Sequence, residues 1–285
     1  MSWIDLAPAF LLAAIAAATP LLLAALGELI GERAGVVNVG LEGLMLIACA
    51  AGALAADASG SSWVGMVVAV AAPLPFSAAF AACVVFVRVD AIVAGTALNL
   101  IALGLTGSAW RILSGVSGAA IVVPALPAAL FPVIGLALVP AVAAFLSRTR
   151  AGLLLRSCGD DGRAAESLGL PVARIRTLAV LFTGLLCGLA GAHLALVLSR
   201  TFVEGMSAGR GFLALAVVAC GRRHPVGALL AALLFGGAGA LQFQFQAAGS
   251  GVPYQLFLML PYAVTLVVLA VVMRGPRARR GVDAC

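Results

Sequence analysis

Lysine is missing from this chain, tyrosine occurs twice, and charged residues of both signs make up only 10% of it. A soluble domain of 285 residues would carry about 25% charge, so a water-facing globular surface is excluded for most of the length. The absence of lysine carries no functional information. The formal charge of +6 rests on seventeen arginines gathered at the ends of apolar runs, a placement that orients a protein in a bilayer and argues against nucleic acid as a partner. Six cysteines (Cys49, Cys83, Cys158, Cys187, Cys220, Cys285) are scattered without a CxxC pair or a nearby histidine at ligand spacing. That excludes a zinc centre and a disulfide framework and leaves small apolar fillers. No GxxxxGK[ST], HExxH or GxSxG motif occurs, nor any polar stretch long enough for a nucleotide domain. The chain therefore reads as no enzyme, without metal or cofactor. Its energy comes from an ion gradient or from another subunit.

What is present in quantity is apolar sequence: 64% hydrophobic residues and a mean hydropathy of +1.18. The expected fold is an all-α, polytopic transmembrane bundle forming one domain over residues 1–285. Nine apolar runs stand out: 6–26, 36–56, 63–87, 91–113, 131–147, 177–199, 211–220, 226–242 and 254–273, the seventh short or broken. The first lacks a basic leader and a small-residue cleavage site and reads as a retained helix. With the C-terminus and its basic tail (274–285) inside, fourteen arginines lie inside and three, Arg111, Arg200 and Arg210, outside. This bias predicts a cytoplasmic C-terminus and, from the odd count, an outer N-terminus.

The loop 148–176 holds six arginines and three acids and has no run able to cross a bilayer. Asp160 and Asp161 can cap a helix, Ala164, Ala165 and Leu168 fall on one face, and Gly169 with Pro171 ends it after two turns. Such a helix suits a groove on another protein; the alternative is a loop that only sets topology. Glu28 and Glu32 follow the first run, and in GVVNVGLEG Asn38 and Glu42 stand four apart, on one face of a helix weakened by glycines. Glu42 either partners another group structurally or lines a path. In 200–225, Glu204 and Arg210 flank a flexible GMSAG and the following run spans about half a bilayer, which fits either a transport site or a buried connector. Asn99 favours an interhelical hydrogen bond over substrate contact, His193 a satisfied core position, and Gly184, Gly188 and Gly191 close helix packing.

Three stretches, GELIGERAGVVNVGLEGLML (27–46), GDDGRAAESLGLPVARIRTLAVLFTGLLCGLAGAHLAL (159–196) and EGMSAGRGFLALAVVACGRRHPVGALLAALLFGGAGALQ (204–242), resemble a known family. It is the permease subunits of bacterial ABC importers in the branched-chain amino acid, ribose and nucleoside group. The ERAGVVNVGLEG and EGMSAGRGF forms are most similar to permeases of nucleoside importers that use a basic membrane lipoprotein as binding protein. The resemblance implies a multi-pass protein of the bacterial inner membrane. Its partners would be a second related permease, a cytoplasmic ABC ATPase and a periplasmic or lipid-anchored binding protein. Nucleosides are the implied substrate, with sugars or branched-chain amino acids as the neighbouring classes. It further implies that Arg163, Ala164, Ala165, Glu166, Leu168 and Gly169 form the helix that couples to the ATPase. Asn38, Glu42 and Asn99 match polar positions on helices expected to line the path. Ribose-type relatives carry an additional first helix that this sequence does not match. An ion-coupled secondary transporter is the competing class, with Glu42 as its one candidate carrier.

Overall fold

The computed structural model describes residues 3–114, 123–124, 126–247 and 270. The run 254–273 and the basic tail therefore lie outside the described residues, save Ala270. Among the described residues there is no strand, and eleven helices follow one another: α1 (Trp3–Arg33), α2 (Leu41–Ser59), α3 (Ser62–Ala71), α4 (Pro73–Ala81), α5 (Ala91–Ser114), α6 (Leu130–Arg148), α7 (Arg150–Asp160), α8 (Gly162–Ser167), α9 (Val172–His193), α10 (Arg210–Cys220) and α11 (Pro225–Ala247). Seven stretches of the described residues are long and apolar enough to cross a membrane, α3 and α4 together forming one of them, and α10 is a shorter apolar helix. Eight of the nine expected runs thus appear as helices or parts of them.

α9 is the central member, packing against α1, α2, α3 and α4. In lipid the hydrophobic effect does not drive helices together, so contact depends on how closely backbones approach. The three glycines of α9 serve that approach, each toward a different helix. A Cβ on Gly184 would stand 2.7 Å from the Ser77 side chain on α4, one on Gly188 2.7 Å from Val70 Cα on α3, and one on Gly191 2.6 Å from the Met45 carbonyl on α2. Hydroxyl bonds add to this packing: Ser77 donates to the Val180 carbonyl at 2.7 Å across the α4–α9 seam, and Thr183 to the Gly27 carbonyl at 2.9 Å across the α1–α9 seam. His193 is fully buried, with Nε2 3.1 Å from the Ala16 carbonyl and its ring 5.2 Å from that of Phe131.

Two spans end in a π-helical turn, Ala82–Phe86 after α4 and Leu194–Leu198 after α9. The arginine-rich segments meet at one end of the bundle. There Arg33 donates to the Arg223 carbonyl, and Arg176 to the Ala34 carbonyl. Glu204 and Arg111 meet at the opposite end, 3.5 Å apart and largely exposed, an ion pair that contributes little.

Gly191→Ala forces a Cβ to 2.5 Å from that of Ala48 and should cost about 1–3 kcal/mol of unfolding free energy. Gly237→Ala, where nothing lies within 4 Å, should be neutral or stabilising by up to about 1 kcal/mol. Unfolding midpoints of the two variants in one detergent check the contrast.

Candidate functional site

α1 does not stop where its apolar run stops. Backbone hydrogen bonding carries the helix through Arg33, so Glu28 falls inside it and is fully buried. Its Oε1 accepts the Asn38 N–H at 2.8 Å, and Asn38 Oδ1 accepts the Gly40 N–H at 2.8 Å. Residues 34–40 are not helical. Asn38 and Glu42 accordingly do not share a helical face: Asn38 sits in the link and Glu42 in the first turn of α2. The helical spacing failed here because Gly35 adopts a φ of +84°, which ends α1 and sends the chain back into the bundle.

α5 supports the link from outside. Asn99 Oδ1 accepts the Gly43 N–H at 2.8 Å, and its Nδ2 donates to the Val39 carbonyl at 3.0 Å. Both ends of that amide are used, on two backbone groups flanking the start of α2. Gly95 permits the approach, since a Cβ there would lie 2.7 Å from the Gly40 nitrogen.

Glu42 holds a different element. Its Oε1 accepts the Gly209 N–H at 2.7 Å and its Oε2 the Gly211 N–H at 2.6 Å. The carboxylate caps the N-terminus of α10, where unsatisfied amides and the helix dipole both favour negative charge. A Cβ on Gly211 would meet the Glu42 nitrogen at 2.4 Å, so only glycine lets α10 come this close to α2. The eleven residues of α10 rise about 16 Å from the turn at Gly221 to this contact, about half the thickness of a hydrocarbon layer of about 30 Å. α5 and α10 both pack on α2. The polar first turn of α2 lies between them, with Glu42 and Asn99 half-buried and Val37, Thr96 and Phe212 exposed.

The far end of α10 is fastened to α1. Arg222 and Arg223 turn the chain with φ of 53° and 54°, an unfavourable conformation that the surroundings must impose. Arg33 donates to the Arg223 carbonyl at 2.7 Å, and Arg223 Nε to Glu32 Oε2 at 2.8 Å.

At the same end, α7 rests on the α1–α2 link and carries α8. Arg176 donates through Nε to the Ala34 carbonyl at 3.1 Å and through Nη2 to the Cys158 carbonyl at 3.2 Å. A Cβ on Gly159 would stand 2.2 Å from the Arg33 carbonyl. Asp161 caps α8, its Oδ1 accepting the N–H of Arg163 and of Ala164 at 3.0 Å. Gly169 ends the turn with a φ of +79°. Of the residues expected to contact a partner, Arg163, Ala164, Glu166, Leu168 and Gly169 are exposed, Leu168 at 79%. Ala165 is not: it is 3% exposed and packs with Cys158 and Val172 in a small core of its own. The expected apolar face is thus divided, Ala165 inward and Ala164 with Leu168 outward.

The sequence reading named Glu28 without giving it a role and missed Gly95 and Arg176; of the partners open to Glu42 as a structural group, the protein supplies the Gly209 and Gly211 amides. The signal there was the flexible GMSAG between Glu204 and Arg210, which marked a break without saying what it met.

Spans that cross a membrane, one half-length helix capped by a carboxylate, and a short helix set out from the arginine-rich end together define the membrane subunit of a transporter. The chain belongs to the family described as branched-chain amino acid transport system / permease component, which matches residues 10–269, and it is a multi-pass membrane protein. It is 33% identical to the guanosine ABC transporter permease protein NupQ of Bacillus subtilis, over 88% of each chain. It is 35% identical to the nucleoside ABC transporter permease protein NupC of Lactococcus lactis subsp. cremoris, again over 88% of each. A Haloferax volcanii protein named provisionally as a glucose ABC transporter permease, TsgC13, is 36% identical over 82% of this chain and 77% of its own.

Glu42→Gln keeps the size but offers one acceptor oxygen where two amides need one. The change should lower stability by about 1–3 kcal/mol and leave insertion intact, with Glu42→Ala lower still. Unfolding midpoints of the purified variants check the order.

Proposed function

We propose that this chain is the permease subunit of an ATP-driven importer of nucleosides, working with a second related permease, a cytoplasmic ABC ATPase and an external binding protein. The observation that carries the coupling assignment is α8. It is capped by Asp161, seated on the body through Ala165, and presents Leu168 almost wholly to solvent between two membrane spans. An isolated leucine at 79% exposure on a rigid stub fits a pocket on a partner. Arg163 and Glu166 flank it for polar contacts at the rim. The arginine-rich end, and with it the C-terminus, faces the cytoplasm by the positive-inside bias.

The substrate path runs past the first turn of α2, between α5 and α10, and is completed by the partner permease. Asn38, Glu42 and Asn99 act there by holding the backbone that borders the path, because Asn38 Oδ1, both carboxylate oxygens of Glu42 and both ends of the Asn99 amide engage main-chain groups. The same geometry weighs against an ion-coupled carrier, since both oxygens of Glu42 are taken by amides. Movement of α8 reaches the path through Arg176 and the 34–40 link as a rigid-body displacement.

Nucleosides are the preferred substrate class because two relatives that span 88% of this chain bear guanosine or nucleoside in their names. Sugars are the second reading, favoured by the 36% identity to the Haloferax protein.

Uptake of labelled nucleosides and sugars by cells expressing this permease with its partners is expected to be nucleoside-specific and to vanish when the ATPase nucleotide site is disabled. ATP-dependent sugar uptake alone would move the substrate. Uptake indifferent to the ATPase would overturn the mechanism. Leu168→Asp places a charge in the docking pocket and should lower uptake at least about ten-fold at unchanged membrane content, with weaker co-purification of the ATPase.

A further inference from the structure

Along α9, Arg174, Leu178, Leu181, Phe182 and Leu185 recur at helical spacing and form one stripe. Leu178 is 66% exposed. An apolar furrow runs on each side of it. One, of about 440 Å³, lies between α6 and α9 and is roofed by Ala151, Leu154 and Leu155 of α7. The other is shallower and lies between α4 and α9, against Leu74, Pro75 and Ala78. Leu178 and Phe182 line both, so together they form the ridge of a fork.

Charge stands at one end of that fork. Arg174 lies one turn before Leu178, and Arg150 one turn before Leu154; both are exposed, and neither makes an ion pair among the described residues. α7 is folded back from α6 at Thr149, which donates to the Phe145 carbonyl at 2.6 Å and accepts the Gly152 N–H at 3.0 Å. With Leu153 60% and Leu154 38% exposed beside arginines, α7 has the character of a helix lying in the bilayer interface. Arg174 and Arg150 each immediately precede a residue that lines the first furrow, Ile175 on α9 and Ala151 on α7, so the two charges stand beside it.

We infer that this fork binds a two-chain anionic phospholipid, one acyl chain in each furrow astride Leu178 and Phe182, its phosphate between Arg174 and Arg150. The enclosed furrow falls within the range of about 300–1,000 Å³ typical of ligand sites. Its apolar lining rules out a stable water filling. The lipid would bear on α7, the helix that leads into α8, so that leaflet composition acts on the coupling end of the protein.

The test uses the purified protein in detergent, titrated with phosphatidylglycerol or with phosphatidylcholine of identical acyl chains. Bound lipid is read by native mass spectrometry. Wild type should retain phosphatidylglycerol preferentially. Arg174→Gln and Arg150→Gln should each lower that preference about five-fold without altering phosphatidylcholine retention. Ala141→Trp, at an exposed position lining the enclosed furrow, should weaken both lipids. Equal retention of the two lipids by wild type, or unchanged preference in the double arginine variant, overturns the site. So does a photo-crosslinker at Leu178 that captures a protein neighbour and no lipid in the assembled transporter.

Discussion

A carboxylate accepting two amide protons is the interaction on which the rest of this structure depends. Breaking a helix inside a bilayer frees backbone groups that water cannot reach, and each must find a partner in the protein. Among the described residues, the breaks at 34–40 and ahead of α10 answer one another. Glu42, in the first turn after one break, supplies both acceptors needed at the other. The first break is itself closed by Glu28 from α1 and Asn99 from α5. Four helices are thereby tied around a single irregular spot.

This arrangement fixes α10 at both ends while it packs along α1 and α11. Its N-terminus hangs on α2 through Glu42, and its C-terminal turn on α1 through Arg33 and Glu32. A short helix held at both ends shifts when its supports shift. The supports converge on the 34–40 link, whose outer end carries the weight of α7 through Arg176. For the proposed importer, this chain of contacts is the route by which the surface would act on the centre of the bundle.

Much of this was legible in the amino-acid sequence, and what was not has physical causes. The spans followed from hydropathy, because each must exclude polar groups across a fixed thickness. The half-length of α10 was equally plain from the count between Gly209 and Gly221. The end of α1 was misjudged since apolarity marks where lipid stops, whereas a helix continues while its backbone bonds are met, here through Glu28 and Glu32. Periodicity placed Asn38 and Glu42 on one face because spacing presumes a helix that Gly35 had already ended. For α8, a pattern of apolar positions could not tell which alanine turns inward; that is decided by Cys158 and Val172, neighbours from other helices.

The attachment of α7 to the link has a further implication for how this sequence can drift. Its bonds run from one guanidinium to two main-chain carbonyls, and its closest approach is a glycine against a third. Main-chain oxygens are the same whatever side chain follows them. Ala34, Arg33 and Cys158 can therefore be replaced, as far as this contact is concerned, without erasing it, while Arg176 and Gly159 cannot. The joint presents a very small target to mutation, and a lineage could rewrite most of the surrounding surface, and with it the choice of partner, while keeping the same mechanical connection.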